Sequence, residues 1–307
     1  MPCTTPLQGY KTFGGAITFK LSEAMSVSKS GSPVRLDVPC GQCMHCRLEK
    51  ARQWAVRMSL EEQLHDESIF LTLTYDNKHY PPNGGLVKSD VQNFVRRLKE
   101  KVAPKKIKYY FVGEYGDQTN RPHYHAIIYG YEPAANTVEQ ISNENGMPLY
   151  SSTELTKLWS KRKGTDPIGY AVYGHVNWDT CSYVARYVTK KINDSPEANT
   201  NVDNEARFKY RGNIREFALS SRNPAIGKEW LDKYYDETVR DDYIVLNGKK
   251  MLPPKYFDDQ IRKKDEEVYN KIKKNRKTNL IELTPERAVN MEKIEKSLKS
   301  IYQRNKV

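Results

Sequence analysis

Apolar residues recur at two different periods along this chain, and the changes of period mark out its elements. Ala51, Trp54, Ala55 and Met58 fall at helical spacing, which predicts an amphipathic helix over roughly 47–65. Ile69-Phe70-Leu71-Thr72-Leu73-Thr74-Tyr75 is rich in β-branched and aromatic residues and is stopped by Asp76-Asn77, so it predicts a strand. Pro81 to Gly85 is a loop. Ser89 and Gln92 have the spacing of a capping box, ahead of a helical stripe of Val91, Phe94, Val95, Leu98 and Val102. Strands follow at Ile107–Glu114 and His123–Tyr129, joined by a polar turn over 115–121.

The residues before Val38 carry no clear period and read as irregular, and 131–150 reads as a loop excursion. A short helix near 152–161, a strand around 169–177 and a helix over about 180–192 come next. Beyond a polar loop, Ile214–Ser220 is a strand, with a helix near 225–238 and a strand near 242–247. From 254 onward the chain is helical and charged. Met291, Ile294, Leu298 and Ile301 are spaced 3-4-3, but this spans too few heptads for a coiled coil. Strands and helices alternate irregularly around a central hairpin, which predicts an α+β fold built on an antiparallel sheet.

Composition narrows the class of molecule. The mean hydropathy is −0.79, and no run of about 18 apolar residues occurs, so no membrane-spanning helix is expected. The N-terminus lacks a charged region followed by an apolar stretch, so it does not read as a signal peptide, and a cytoplasmic protein is expected. The net charge of +12 favours a polyanionic partner. From Lys249 to Val307 there are 17 Lys and Arg against 9 Asp and Glu, so most of the excess lies in the C-terminal stretch. A solvated helix is the alternative reading of such a stretch. Twenty-one tyrosines add flat faces for unpaired bases.

The chemistry concentrates in two places. Arg121-Pro122-His123-Tyr124-His125 enters a strand, and period two puts both imidazoles on one face with Tyr124 on the other. An H-x-H pair alone is commonplace; its context sharpens it. The preceding strand ends in Val112-Gly113-Glu114, and a short turn brings Glu114 back beside the histidines. A carboxylate and two imidazoles suit Mg²⁺ or Mn²⁺ on a phosphate oxygen, with Asp117 as the competing third ligand. In the helix near 180–192, Cys181, Val184, Ala185, Val188 and Ile192 form an apolar stripe. Tyr183, Tyr187 and Lys190 fall on the opposite side and are expected to point away from the core. A phenol, with a pKa of about 10, is a poor nucleophile at neutral pH. A metal on the scissile phosphate supplies the activation, and a lysine can steady the phenolate or protonate the leaving oxygen. Metal ligands on a strand plus a tyrosine helix make a transesterification site.

At these residues the chain resembles the HUH (histidine–hydrophobe–histidine) endonucleases, specifically the replication initiators of small single-stranded-DNA phages of the microvirus group. Three blocks carry the resemblance in order: Phe70 to Tyr75, Arg121 to His125, and Tyr183 to Lys190. Cys40-Gly41-Gln42-Cys43-Met44-His45-Cys46-Arg47 with Arg52-Gln53-Trp54-Ala55 resembles the gokushovirus branch. Tyr124 at the middle of the HUH block is bulky but not aliphatic, a minor departure.

The resemblance implies about five antiparallel strands with the histidines on a central strand and phenols facing the metal. It implies that one tyrosine cuts the single-stranded origin, leaving a 5′-phosphotyrosine and a free 3′-OH for the host polymerase. The other then acts after one round, and the 3′-OH closes the circle without ATP. Which tyrosine acts first is left open. No G-x-x-x-x-G-K-[ST] stretch occurs, so unwinding falls to a host helicase. The chain thus divides into a cysteine-containing arm and helix (1–66), an endonuclease core (67–248) and a basic helical extension (249–307).

Five cysteines in a cytoplasmic chain argue against a disulfide framework. Cys40, Cys43 and Cys46 form a tight C-x₂-C-x₂-C, and structural zinc takes four ligands. Cys3 is the distant fourth, which the resemblance favours over His45; reduced thiols without metal, or an iron–sulfur cluster, are the alternatives. Cys181 belongs to the apolar stripe and is expected to be inert. Three rival functions stand beside the nickase. They are a non-catalytic single-stranded-DNA-binding protein, an HUH relaxase or transposase, and a metallohydrolase that uses water.

Overall fold

The computed structural model describes residues 3, 5–12, 16–26, 34–116, 119–144, 147–161, 165–190 and 216–278, with 290, 293, 294 and 297 beyond them. The chain divides into two compact units, Met1–Lys50 with Leu283–Val307, and Ala51–Glu282. The first unit is not irregular as its sequence suggests. Strands β1 (Leu7–Lys11), β2 (Ile17–Thr18) and β3 (Val34–Val38) form an antiparallel sheet in the order β2-β1-β3, with a short helix α1 (Leu21–Ser26) between β2 and β3. The strands are too short, and β2 too brief, to show a period in the sequence.

Helix α2 (Met44–Glu62) leads into the larger unit. There follow β4 (Ser68–Tyr75), α3 (Lys88–Val102), β5 (Lys108–Tyr115) and β6 (Pro122–Tyr129). Next come β7 (Val138–Glu144), β8 (Met147–Ser152), α4 (Thr153–Leu158), β9 (Gly169–His175), α5 (Trp178–Lys190) and β10 (Phe217–Ser220). Among the described residues these strands form one antiparallel seven-stranded sheet, ordered β10-β5-β6-β4-β9-β8-β7. The two strands beyond the expected five are β7 and β8, the hairpin that 131–150 forms in place of a loop. Its polar residues and shifted register hide the strand period. Without that hairpin, β6 is the central strand of five.

Alternation along β4, β5 and β6 sorts their side chains onto two faces. Leu71, Leu73, Phe111, Tyr124, Ala126 and Ile128 pack against Phe94 and Leu98 of α3 and against Trp159. Tyr110, Val112, Ile127 and Tyr129 pack against Ala55 and Met58 of α2 and against Cys181, Val184 and Ala185 of α5. Helix α3 begins two residues earlier than a cap at Ser89 requires. Its N-cap is Val87, with no side-chain cap, and the Val87 N–H donates to the Tyr124 hydroxyl at 2.7 Å. The buried tyrosine supplies one half of a capping box, the acceptor for the N-cap N–H.

The other flank of α2 is also buried. Val56 and Leu60 join Trp230, Leu231, Ile244, Leu246 and Phe257. These residues come from α6 (Lys228–Lys233), β11 (Ile244–Leu246) and α8 (Lys255–Lys264). The single helix expected near 225–238 is two, α6 and α7 (Tyr235–Asp241), broken at Tyr234. Strand β11 pairs with β12 (Lys249–Met251) through Asn247-Gly248, both at positive φ, as a two-residue hairpin turn requires. Helix α9 (Glu266–Thr278) completes the unit, its Arg276 donating to Asp242 at 2.8 Å and Asp258 at 2.7 Å. Among the described residues no helix is long and apolar enough to cross a membrane.

Candidate functional site

The hairpin of β5 and β6 sets Glu114 directly opposite His123, and Val112 opposite His125. Because opposite residues share a face, the carboxylate and both imidazoles project together on the α5 side of the sheet. Glu114 Oε1 lies 2.6 Å from His123 Nε2 and 3.0 Å from His125 Nε2. One donor atom from each of the three residues falls within 4.8 Å of the others, a set that can hold one metal ion. Asp117, the competing ligand, lies outside the described residues.

The far nitrogens are fixed too. His123 Nδ1 is 3.1 Å from the Arg121 carbonyl oxygen, which only accepts, so Nδ1 carries a proton and Nε2 is the nitrogen turned to the site. His125 Nδ1 is 2.9 Å from Thr72 Oγ1 on the neighbouring strand, where Thr72 is its direct cross-strand partner. Burial pushes the Glu114 carboxyl up, but hydrogen bonds and charge from His123 and His125 outweigh it and hold it below the usual carboxylate range. Burial also pulls both imidazoles down. Glu114 reverses this for His123, whereas burial prevails at the more enclosed His125. An ionised carboxylate beside a neutral imidazole is a donor set ready for a divalent cation.

Helix α5 brings Tyr183 to the same place. Its hydroxyl is 3.4 Å from His125 Nε2, and the two rings meet edge to face with centroids 5.1 Å apart. The phenol does not point away from the sheet, as the helical wheel alone predicts. Residue 183 leaves the helix about 100° from buried Val184, at the flank of the apolar stripe, and its ring packs against Phe70 of β4. Tyr187 and Lys190 stand one and two turns further along α5; their side chains lie outside the described residues.

Other neighbours received no individual role in the sequence reading. Phe70 stacks on His125, with rings 5.6 Å apart and 13° from parallel. Strand alternation points to Phe70 and Thr72, since both share the face left by buried Leu71 and Leu73. Tyr170 of β9 pairs with Thr74, which pairs with His123, so the three form a row across the sheet on the site's face. Tyr170 is 65% exposed there. Only the pairing order of β4, β6 and β9 places it beside the histidines.

A second donor cluster lies in the N-terminal unit. Cys3 Sγ is 3.4 Å from Cys40 Sγ and 3.8 Å from Cys43 Sγ, and with Cys46 all four sulfurs lie within 4.8 Å of one another. The distant cysteine thus joins the C-x₂-C-x₂-C, and His45 is not in the set. Cys181 is buried under α5, where burial pushes its thiol up to about 12.

Residues 68–193, which carry both the histidine strand and the tyrosine helix, match the family model described as replication-associated protein ORF2/G2P. Over 242 residues the chain is 34% identical to replication-associated protein VP4 of Bdellovibrio phage phiMH2K, covering 75% of this chain and 69% of that protein. It is 30% identical over 272 residues to replication-associated protein ORF4 of Chlamydia phage 1, covering 84% of this chain and 62% of that protein. With replication-associated protein ORF2 of Spiroplasma virus 4 it shares 26% identity over 295 residues, or 90% of this chain and 86% of that protein. No solved structure matches. On these similarities, the chain belongs to the family of phage replication-associated proteins.

Proposed function

We propose that this protein starts rolling-circle replication by nicking and rejoining single-stranded DNA at the phage origin. Tyr183 and Tyr187 are the nucleophiles, and Glu114, His123 and His125 hold one Mg²⁺ or Mn²⁺. The observation that carries this reading is the approach of the Tyr183 hydroxyl to His125 Nε2, 3.4 Å, on the face where Glu114 gathers both histidines. One phosphodiester can therefore meet the phenol and the donor triad together. A divalent ion held there polarises the phosphoryl group and offsets charge in the transition state.

The chain's own residues do the rest. Thr72 and the Arg121 carbonyl hold the imidazoles in register, and Phe70 supports the His125 ring. Tyr183 Oη forms a bond to phosphorus as the bond from phosphorus to the 3′-oxygen breaks. The phenolic proton passes to water, and Lys190 gives its own proton to the departing 3′-oxygen. The products are a 5′-phosphotyrosine and a free 3′-OH, which a host polymerase extends while a host helicase unwinds. After one round Tyr187 attacks the regenerated origin, and the released 3′-OH attacks the first phosphotyrosine to close the circle. Tyr170 gives an unpaired base of the origin strand an aromatic face on which to stack. The setting is the cytoplasm of the infected bacterium.

Peptide mass spectrometry after reaction with origin DNA and Mn²⁺ tests the assignment. The expected product is a nucleotide-linked peptide containing Tyr183. Cleavage that leaves free 5′-phosphates and unmodified peptides would replace the reading with a metallohydrolase. Tight binding to the phage's own origin without cleavage would replace it with a binding protein.

A further inference from the structure

Among its described residues the N-terminal unit has a small sheet and no apolar cluster of its own. None of the three apolar clusters among the described residues contains a residue before Ala51. Its large hydrophobic side chains face outward instead: Leu7, Ile17 and Val34 are 48%, 52% and 66% exposed. Three short strands with so little apolar burial among the described residues gain little stability from packing. Small units of this kind need a cross-link or a metal.

The four sulfurs sit where such a staple is needed. Cys3 lies just ahead of β1, Cys40 just after β3, and Cys43 and Cys46 at the start of α2. The chain ends of the β1–β3 ladder, where Leu7 pairs with Val38, are thereby gathered to one point. The spacing excludes a disulfide, whose sulfurs stand about 2.05 Å apart. It matches a tetrahedral ion instead: metal–sulfur bonds of about 2.3 Å put the sulfurs about 3.8 Å apart, and Cys3 and Cys43 are 3.8 Å apart. A cluster of several irons would spread its cysteines further than the 4.8 Å that contains all four. Donors already point at the sulfurs. The Cys40 N–H donates to Cys3 Sγ at 3.3 Å, and the Cys43 and Gln42 N–H groups donate to Cys40 Sγ at 3.3 and 3.4 Å. The Thr5 hydroxyl adds another to Cys40 at 3.4 Å. These are the outer hydrogen bonds that steady a metal-bound thiolate.

We propose that Cys3, Cys40, Cys43 and Cys46 bind one structural Zn²⁺ as a tetrathiolate, and that this ion ties the ends of the β1–β3 ladder to the start of α2 and keeps the sheet folded. The site shares no residue with the Tyr183 centre and stands independently of the nickase reading. Metal analysis of the full chain, purified without added metal, should give one zinc per chain. Exchange for Co²⁺ should give sulfur-to-cobalt charge transfer and the intense visible bands of a tetrahedral sulfur site. The double variant His123→Ala/His125→Ala should keep its zinc, and Cys3→Ser and Cys40→Ser should lose it. Stripping wild type with a thiol reagent and chelator should speed protease cleavage within residues 34–50 while 51–116 stays resistant; this arm stands even if a cysteine variant does not fold. Absence of zinc, iron in its place, zinc lost only with the histidines, or unchanged proteolysis after stripping would each overturn the proposal.

Discussion

Thr72 stands directly across the β4–β6 ladder from His125 and holds its Nδ1 at 2.9 Å. A partner of this kind fixes the orientation of a ligating imidazole, and losing one commonly weakens metal affinity by about 10–100-fold. Thr72→Val keeps the shape and removes the hydroxyl. Its Mn²⁺ affinity, measured by calorimetry, should fall by about that factor, while Thr72→Ser should restore most of it. Equal affinities in all three proteins would remove Thr72 from the site.

The face of each strand is readable from the sequence wherever buried and half-buried residues alternate, as from Ser68 to Tyr75. That alternation puts His123 and His125 together, and the short turn brings Glu114 to them. What is not readable is anything set by the pairing order of strands distant in sequence. Tyr170 reaches the histidines only through Thr74, and Thr72 meets His125 only because β4 lies beside β6. The helical wheel places Cys181, Val184 and Ala185 correctly but errs on Tyr183, because a wheel knows the core direction and not the flank where Phe70 waits. The β7–β8 hairpin and the N-terminal strands escape for a different reason: their residues are polar or exposed, and no hydrophobic period marks them.

Glu61 of α2 is fully buried and accepts hydrogen bonds from Lys108 at 2.7 Å and from the Gly227 N–H at 2.7 Å, with His65 Nε2 at 2.8 Å. Replacing it by Ala leaves Lys108 with Glu229 as its remaining carboxylate and takes the acceptor from the buried Gly227 N–H, which should cost about 1–3 kcal/mol in denaturant unfolding. Burial raises its carboxyl, but these hydrogen bonds outweigh burial and leave it below the ordinary range. A group lowered on folding stabilises fully above its unfolded value, about 4.3, and that contribution is lost as pH falls through the folded value. Wild type should therefore lose more stability than Glu61→Gln on acidification below that value. Parallel curves would show that Glu61 does not titrate with unfolding.

Tyr170→Ala should weaken binding of single-stranded origin DNA by about 1–3 kcal/mol, the value of one base stacked on an aromatic ring. Tyr170→Phe should bind like wild type, since stacking needs only the ring. Fluorescence anisotropy with Ca²⁺ in place of Mn²⁺ separates binding from cleavage. An unaffected alanine variant would take the DNA path off this face.

The basic C-terminal stretch is expected to raise non-specific DNA affinity, and its charge is uneven. Residues 249–278 carry eleven Lys and Arg against five Asp and Glu, whereas 279–307 carry six against four. Phe257, Ile261 and Ile272 are buried, so cutting the chain ahead of α8 would uncover Trp230 and Leu246. Substitution is the cleaner test. Replacing exposed Lys263, Lys271 and Lys274 of α8 and α9 by Gln should flatten the salt dependence by about 0.7 per lysine in the log–log slope for single strands. Removing 279–307 should change it little. An unchanged slope after the lysine substitutions would show that these helices do not meet DNA.

The central claim is a covalent one, and denaturing gel electrophoresis reads it directly. Single-stranded origin DNA labelled at its 5′ or 3′ end is incubated with the protein and Mn²⁺. The account predicts a protein-linked band that carries only the DNA 3′ of the cut, absent with EDTA and absent from Tyr183→Phe/Tyr187→Phe. Cleavage with no linked band, or a linked band that survives loss of both tyrosines, would contradict it.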